Sequence, residues 1–599
     1  MPLAPLDWAI VALYFVLSLG IGLAFMKKGG ESLEEYFVAG RKAPWWLAGA
    51  AMIATTFAAD TPLVVTGLVA TYGIAGNWLW WNFVMSGTLT VFLYARLWHR
   101  ANVLTDVEFA EIRYGGAPAT FLRGFRALYL ALPINLIIMG WVHLAMVKIL
   151  TLTTGLSPVW AVGVCFVAVT LYATASGMWA VLWTDFVQLI LMMTAVIALA
   201  VFAVKKVGGM AALKAGVAAK FGSEEAALSF LPPAGSAWMP LMAVLVFLGV
   251  QWWAAWYPGS EPGGGGYVAQ RIFSSKSERD GVLSTLFFNV GHYAFRPWPW
   301  IVTGLATVIL YPGGVLVNGK MDKEAAYVQA MLDLMPLGWK GFMLAGFAAA
   351  YMSTIATHLN WGASYLVGDV YKRFLNRDAT DRHYVNVSRL ATIFLFIASA
   401  IVSSYMDSIA RAWQFLLAIG SGTGLVLILR WYWWRINAWS EISAMVASAV
   451  VSLSAFQLIK NPYASTDARF GAEEFRIQAL VMLVTVGVST VVWVATTFLT
   501  QPESPAVLES FYRRVRPGGP GWRTISTRLG FGSESIPGGA MSFLSWGLGI
   551  ALVYTALFGI GKLVLGATLP GLALCAVAIG LFTFIVRSLK FGDAPAPKP

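Results

Sequence analysis

Two hydroxyl side chains in the apolar stretch Ala349–Asn360 are spaced for cation binding. Ala350, Ser353 and Thr354 follow one another at i, i+3 and i+4, so a helix places them on one face. On this helix alone, the hydroxyls could simply bond back to carbonyls of the preceding turn. Beside carbonyls freed on another helix, however, they would be uncharged oxygen ligands that suit a dehydrated sodium ion.

A second apolar run supplies an interruption of that kind. Residues 53–62 read IATTFAADTP, which places Asp60 and Pro62 near the middle of a membrane span. Such residues are costly in a bilayer unless the helix is interrupted and faces protein or water. The run is therefore either a proline kink with Asp60 paired to a neighbour, or a discontinuous helix whose freed carbonyls bind a cation.

The seventh apolar run ends in a similar way. Residues 251–271 read QWWAAWYPGSEPGGGGYVAQR, in which Pro258 and Gly259 are followed by Pro262 and four glycines. The stretch is either a helix end followed by a loop, or the second broken helix of an inverted repeat. In the second case, spans two to six and seven to eleven form two five-helix halves behind one extra helix.

Composition identifies the elements that must position these residues. Of 599 residues, 58% are hydrophobic and 12% are charged, against about 25% charged in soluble domains. Apolar runs of about 20 residues predict membrane-spanning helices. The chain is thus predicted to be an all-α polytopic membrane protein of about 15 transmembrane helices. The predicted spans are 6–26, 44–73, 75–98, 121–152, 158–176, 178–203, 237–257, 281–311, 340–366, 386–406, 409–434, 437–459, 474–499, 541–562 and 567–587.

Charge predicts the orientation of these spans. Most of the 41 Lys and Arg residues fall on one side if the N-terminus lies outside, with Arg113, Arg126, Arg271 and Arg430 among them. The positive-inside rule then predicts an outside N-terminus and a cytoplasmic C-terminus in a multi-pass cell (inner) membrane protein. Because the basic residues lie between apolar runs, topology explains the net charge of +12 and no nucleic-acid partner is expected. The tail after residue 590 is predicted to be disordered.

Several motifs resemble the sodium:solute symporter family, which includes sugar, proline and sialic-acid carriers. They are EEYFVAGRKAPWWLAGAAMIAT (34–55), WTDFVQ (183–188), YVAQR (267–271) and MSTIATHLNWGASYLVGDVYKR (352–373). The resemblance covers about residues 5–440 and implies the leucine-transporter-type fold of two inverted five-helix repeats. It divides the chain into an extra N-terminal helix at 1–30, repeats at 44–203 and 237–434, and additional helices at 437–599 with a basic cytoplasmic segment at 501–540.

The resemblance also implies a sodium site, with sodium as the coupling ion. Its ligands would be carbonyls of the first broken helix and carbonyl and hydroxyl groups of the eighth repeat helix. These groups fall on Ala54, Phe57, Ala350, Ser353 and Thr354. The family aspartate that is linked to sodium release toward the cytoplasm corresponds to Asp185 in WTDFVQ.

The solute site departs more from the family pattern. Sugar-binding members carry amide and acidic residues after the sodium carbonyls, whereas only the acidic position is matched here. Candidate solute contacts are Asp60, Thr61, Gln251, Trp253, Arg296 and Gln414. Arg296 either reaches the inside interface or contacts Asp60, another carboxylate or the solute. Gln414 could instead bond one helix to another.

These features predict a sodium-coupled symporter that imports a small polar organic solute, with a sugar or related compound favoured. A monocarboxylate, a sialic-acid-like anion or an amino acid is the alternative cargo. Proton coupling through Asp60, Asp185 or His358 is a second alternative, against which the Ser353/Thr354 pair argues. A transporter-like membrane sensor and a membrane enzyme are the other classes, and neither a signalling domain nor a catalytic cluster is evident. The expected partners are the solute and the lipid bilayer, with no obligate protein partner.

Overall fold

The computed structural model describes residues 3–29, 33–175, 178–233, 235–236, 238–256, 261–317, 319–406, 408–458, 470–589 and 591. Nine helical stretches in these residues are long and apolar enough to cross a membrane. Shorter apolar helices, such as Trp45–Thr55 and Thr61–Tyr72, fill other predicted spans. Each of the fifteen predicted spans overlaps helical structure, and their number as membrane crossings stays a prediction. The tail predicted to be disordered falls, from residue 592 on, outside the described residues.

The first part of the chain contains the first broken helix. An 11-residue helix ends at Thr55 and a 12-residue helix begins at Thr61, within one predicted span. The helices of this part are α1 (Pro5–Gly29), α2 (Leu33–Val38), α3 (Trp45–Thr55), α4 (Thr61–Tyr72), α5 (Trp78–Trp81), α6 (Val84–Leu89), α7 (Ala95–Ala101), α8 (Phe109–Arg113), α9 (Gly116–Tyr129), α10 (Asn135–Thr154), α11 (Pro158–Ala175) and α12 (Met178–Lys206).

The middle of the chain contains the second broken helix and a small hairpin. Its elements are α13 (Met210–Phe221), α14 (Glu224–Leu228), α15 (Leu241–Val246), α16 (Trp252–Ala254), α17 (Gly266–Ser274), α18 (Glu278–Val290), α19 (Pro297–Leu310), β1 (Val315–Val317), β2 (Lys320–Asp322), α20 (Ala326–Leu334), α21 (Trp339–Ser364), α22 (Asp381–Ser403), α23 (Ile409–Gly420) and α24 (Gly424–Leu429). The strands pair antiparallel, with Leu316 opposite Met321.

The second interruption separates two helical pieces. α16 ends at Ala254 and α17 begins at Gly266; the described residues between them, 255, 256 and 261–265, are not helical, and Pro258 and Gly259 lie outside the described residues. Gly264 has φ +92°, and a Cβ there would lie 3.0 Å from the Trp98 indole, so glycine is needed both for the turn and for the packing. The glycine run is thus packed against α7 rather than being a loose loop.

The last part of the chain consists of helices that lie before, within and after the basic segment 501–540. They are α25 (Ala438–Leu458), α26 (Phe470–Leu499), α27 (Pro505–Val515), α28 (Arg523–Arg528), α29 (Ala540–Val564) and α30 (Thr568–Ser588). The segment predicted at 501–540 packs closely, because Trp522 is buried and its indole donates to the Trp431 carbonyl at 2.7 Å. The Tyr554 hydroxyl of α29 donates to the Trp81 carbonyl at 2.9 Å, so α29 packs against α5.

Several helices widen into π-helical turns near the interior. Such turns lie at Thr90–Tyr94, Leu130–Ile134, Phe247–Gln251, Gly291–Phe295 and Tyr365–Leu375. Pro133 lies inside one of them and Pro297 follows another, which is consistent with the loss of an amide donor at proline. The turn at Gly291–Phe295 immediately precedes Arg296, a residue of the candidate site.

Candidate functional site

The first broken helix opens a stretch of backbone inside the protein. α3 ends at Thr55 and α4 begins at Thr61, with Pro62 in its first turn. Proline has no amide hydrogen, so it is tolerated at a helix start and cannot continue α3 through this point. Between the two ends, the Phe57 amide donates to the Ala54 carbonyl at 2.9 Å. The discontinuous helix is therefore confirmed over a simple proline kink.

Arg296 holds the freed carbonyls of this break. Its guanidinium donates to the Ile53 carbonyl at 2.6 Å and to the Thr56 carbonyl at 3.0 Å. The same group lies 5.0 Å from the Phe57 ring and 5.1 Å from the Trp300 ring, at cation–π distance. The alternative in which Arg296 reaches the membrane interface is thus wrong. The side chain is buried and stabilises the unwound segment.

The hydroxyls of α21 meet the same break. Thr354 Oγ1 donates to the Thr55 carbonyl at 3.0 Å, and Ser353 Oγ donates to the Asp185 carboxylate. Ala54 and Phe57 flank Thr55 along the backbone, so the predicted sodium ligands of α3 and α21 lie at one junction. All of these residues are buried. The explanation by bonding back within the helix does not describe Thr354, whose hydroxyl reaches across to another helix.

Arg271 is the main residue that sequence analysis missed. Counted there as a loop charge, it is 1% exposed and lies with its guanidinium 3.6 Å from Asp185 Oδ2. It also donates to the hydroxyls of Thr55 at 3.3 Å and of Thr357 at 3.2 Å. The available signal was the YVAQR motif, which ends on this residue. The ion pair cancels its own charge, so a sodium ion here would be stabilised mainly by oxygen dipoles.

The chemistry of the junction fits sodium. The hydroxyls of Ser353 and Thr354 and the carbonyls near Thr55 are uncharged oxygens of the kind that coordinates sodium in broken-helix transporters. The C-terminal end of α3 adds the negative end of its helix dipole. In the described ranges, no group of three or more His, Cys, Asp or Glu side chains is arranged to hold a metal ion.

The solute candidates divide into groups. Asp60 is buried at the N-terminal end of α4, with the Trp413 indole against its carboxylate, and Gln414 follows Trp413 on α23. Asp60 and Trp413 therefore lie at one place, close to the break. The Thr61 hydroxyl is also buried, and it meets no hydrogen-bond partner within the described part of the chain.

The other candidates are engaged elsewhere. Gln251 Nε2 donates to the Leu79 carbonyl at 3.1 Å, which ties the second broken helix to α5. Trp253 is only half-buried and donates to Gly249 of its own helix at 2.6 Å. The structure does not bring Trp253 to the break.

An aromatic cluster lies beside Gln251 and was not predicted. The Trp80 and Tyr293 rings stack with centroids 5.9 Å apart, and the Trp256 indole lies close to the Tyr293 hydroxyl. A Cβ at Gly87 would collide with the Asn289 side-chain oxygen, so glycine allows that amide to approach α6. Sequence reasoning missed the cluster because 27 tryptophans offer no local sign of which ones converge.

Comparison with known proteins identifies the class. The model of the "Sodium:solute symporter family" matches residues 36–448. The sodium/glucose cotransporter of Vibrio parahaemolyticus is 24% identical over 470 residues, covering 75% of this chain and 84% of that protein. The sodium/myo-inositol cotransporter 2 of Sus scrofa is 23% identical over 498 residues, covering 75% and 70% of the two chains.

A solved structure shows the same fold. A Na+-coupled sialic acid symporter in a substrate-bound outward-open state superposes with a TM-score of 0.63 at 19% identity, covering 84% of this chain and 99% of that one. The architecture is thus that of a leucine-transporter-type membrane transporter. The chain belongs to the sodium:solute symporter family, and it is a multi-pass transporter rather than an enzyme.

Proposed function

We propose that this protein imports a small polar organic solute, with a sugar or a related polyhydroxy compound favoured, by alternating access coupled to sodium. The observation that carries the proposal is the junction at which Thr354 of α21 bonds to Thr55 of the broken helix, with Ser353 on Asp185. We assign the ion to Ala54, Phe57, Ala350, Ser353 and Thr354. Family membership supports sodium as the coupling ion.

The solute would bind on the other side of the break. We place it between Asp60 and the aromatic cluster of Trp80, Trp256 and Tyr293, with Gln251 and Gln414 nearby. Aromatic faces and uncharged hydrogen-bonding groups suit a ring that bears hydroxyls, and a carboxylate such as Asp60 can accept from two of them. The sodium/glucose and sodium/myo-inositol relatives support this choice.

A sugar is preferred over an anion because of how the charges are used. The Arg296 guanidinium already donates to two backbone carbonyls, and moving it to a carboxylate solute would leave those carbonyls unsatisfied. Asp60 would in addition repel an anionic solute. A monocarboxylate, a sialic-acid-like anion or an amino acid therefore remains the second choice.

In the proposed cycle, sodium enters from outside and bridges α3 to α21. Its charge holds the broken helix in the conformation that binds solute, and the joint movement of the two repeats then opens the site inward. We assign to Asp185, which accepts from Ser353 and pairs with Arg271, the role of receiving the departing ion on its way to the cytoplasm. A potential of 100 mV contributes about 2.3 kcal/mol per charge, which corresponds to roughly 50-fold accumulation for one sodium ion.

The test is uptake into proteoliposomes under an imposed sodium gradient. Labelled glucose, myo-inositol, sialic acid, pyruvate and proline would each be offered with and without sodium, in the presence of a proton uncoupler. We expect a sugar or polyol to accumulate only when sodium is present and the uncoupler to have no effect. Uptake that is the same with and without sodium, or that is abolished by the uncoupler, would refute sodium coupling. Accumulation of an anion alone would refute the solute assignment but not the coupling.

A further inference from the structure

A cavity of about 360 Å³ lies away from the transport site, beside the end of α21. It is formed by α2, the loop at 102–108, α9 and the π-helical segment Tyr365–Leu375, and its size falls in the range of about 300–1,000 Å³ for ligand sites. Six of its eleven lining residues carry a charge. They are four cations and two carboxylates, namely Arg123, Lys372, Arg373, Arg377, Glu108 and Asp369.

Hydrogen bonds hold the carboxylates at the floor of the cavity. Asp369 is buried, and its carboxylate accepts hydrogen bonds from Arg123 Nε at 2.7 Å and from the Thr105 hydroxyl at 3.1 Å. The Arg373 guanidinium donates at 3.0 Å to the carboxylate of Glu111, a residue that does not line the cavity. Glu108 accepts from the Leu104 amide at 2.9 Å. Asp369 and Arg373 thus have opposite charges as partners, whereas the Glu108 carboxylate is held by a backbone amide.

Two cations at the mouth are left for an external partner. In the stretches that the structure describes, neither Lys372 nor Arg377 lies within ion-pair distance of a carboxylate. The Lys372 ammonium lies 5.0 Å above the Tyr384 ring, and Arg377 donates from Nε to the Arg373 carbonyl at 2.9 Å. Arg377 as a whole is exposed. The cavity therefore presents an excess of positive charge over a satisfied floor.

Apolar surface begins directly beside this mouth. Phe121 and Leu128 of α9 are 55% and 42% exposed, and Phe374 and Leu375 are 43% and 73% exposed. This surface is on the transmembrane part of the protein, where exposed apolar side chains face lipid. A cavity that carries cations at the edge of such a surface lies at the depth of lipid headgroups. Charge distribution predicts that this side faces the cytoplasm, where anionic lipids concentrate.

We propose that the cavity binds the phosphate group of an anionic phospholipid, with Lys372 and Arg377 as its ligands and the acyl chains along Phe121, Leu128, Phe374 and Leu375. The phosphodiester would add the acceptor oxygens that the two cations lack, and the apolar surface would bury the chains. This assignment is independent of the transported solute and of the sodium site.

The test measures lipid binding to the purified full-length protein in a neutral detergent. Short-chain phosphatidylglycerol is titrated, with short-chain phosphatidylcholine and inorganic phosphate as the comparison ligands. We expect the K372A/R377A double variant to bind phosphatidylglycerol about 25-fold more weakly, because each basic residue near a lipid surface contributes about a fivefold factor in affinity. The matched control is R382A/R389A, which removes two exposed cations of the neighbouring α22 and should leave affinity unchanged.

Each outcome decides the proposal. Equal affinity of wild type for phosphatidylglycerol and phosphatidylcholine would overturn it, since the cavity would then ignore charge. Equal losses in the double variant and the control would also overturn it, since the effect would be general surface charge. If inorganic phosphate displaced phosphatidylglycerol saturably, at concentrations similar to those at which the lipid binds, the lipid assignment would be overturned in favour of a soluble phosphate. Should the double variant prove unstable, R377Q alone is expected to give about a fivefold loss.

Discussion

Two buried groups of charges in this protein have opposite characters. At the sodium junction, one carboxylate and one guanidinium, Asp185 and Arg271, lie 3.6 Å apart and share their contacts with hydroxyls. Near the second broken helix, two arginines and two glutamates form a closed network. Arg126 and Arg430 each contact both Glu261 and Glu441, with distances of 3.1 Å from Arg430 to Glu261 and 3.2 Å to Glu441.

The difference distinguishes a group of charges that stabilises the fold from a group of charges that lies at the proposed sodium site. In the network, every charge has two opposite charges, and Tyr114 donates to Glu441 at 2.5 Å as well. Any rearrangement would leave a charge buried without a partner, which is costly. At the junction, the pair is looser and neighbours an unwound helix with carbonyl oxygens. A monovalent cation could therefore enter and leave there without dismantling the fold.

Removal of a network carboxylate should have the largest effect on stability. Glu441→Ala leaves Arg126 and Arg430 with one glutamate between them, and breaking such a buried group costs about 3–5 kcal/mol. We expect a sharply lower melting temperature in detergent and a poor yield. An unchanged melting temperature would show that the network is not a structural group and would remove the contrast.

Loss of Arg296 should be the next largest effect. Arg296→Gln removes two bonds from a charged donor to carbonyls of the broken helix, each worth about 1.5–3 kcal/mol. We expect a loss of stability of about 3 kcal/mol together with weaker sodium binding, since the unwound segment is no longer held. The measurement is thermal melting at several sodium concentrations. A variant that keeps stability and sodium affinity but changes only the KM for solute would instead place Arg296 in the solute site.

Neutralising the junction carboxylate should affect turnover more than folding. Asp185→Asn keeps the shape and can still accept from Ser353, while Arg271 retains the hydroxyls of Thr55 and Thr357. We expect a cost below the roughly 3–5 kcal/mol for a buried charge left without a partner, because three neutral acceptors still surround the Arg271 guanidinium, and we expect a marked fall in kcat for sodium-driven uptake. If Asp185→Asn melted at as low a temperature as Glu441→Ala, the two groups of charges would be alike.

Removal of an exposed ion pair should have the smallest effect on stability. Arg528 and Glu509 lie 3.8 Å apart with side chains 52% and 31% exposed. Arg528→Ala should change the free energy of unfolding by less than about 1 kcal/mol and leave transport intact. The same melting assay measures it. A larger loss would mean that the segment around α27 and α28 contributes more to the fold than its surface charges indicate.

Sequence patterns predicted the features that depend on local chemistry. An aspartate and a proline in an apolar run indicated either a proline kink or a broken helix, and the spacing of Ser353 and Thr354 placed both hydroxyls on one helix face. They failed for contacts between distant residues. Arg271 falls between apolar runs and resembles a loop charge, although burial beside Asp185 is what the fold imposes. The target of Arg296, 243 residues away along the chain, has no local signature.

The additional C-terminal helices illustrate the same limit. Spans at α25, α26, α29 and α30 were predicted from hydropathy alone. Their contacts were not, because hydropathy does not state which helix packs on which. The division into two repeats of five helices, the outside N-terminus and the sodium ligands stay predictions that the experiments above address.

The most direct test of the central claim is sodium titration of the double variant S353A/T354A. The matched control is Thr303→Ala, which removes a buried hydroxyl whose hydrogen bond, among the residues that the structure describes, goes to the Pro299 carbonyl of its own helix at 2.8 Å. Sodium affinity would be read from the shift in melting temperature with sodium at constant ionic strength. A sodium site at this junction predicts a loss of affinity of about tenfold or more in the double variant, with about 1.4 kcal/mol corresponding to tenfold, and no loss in the control. Equal sodium affinity in all three proteins would contradict a sodium site at the junction of α3 and α21.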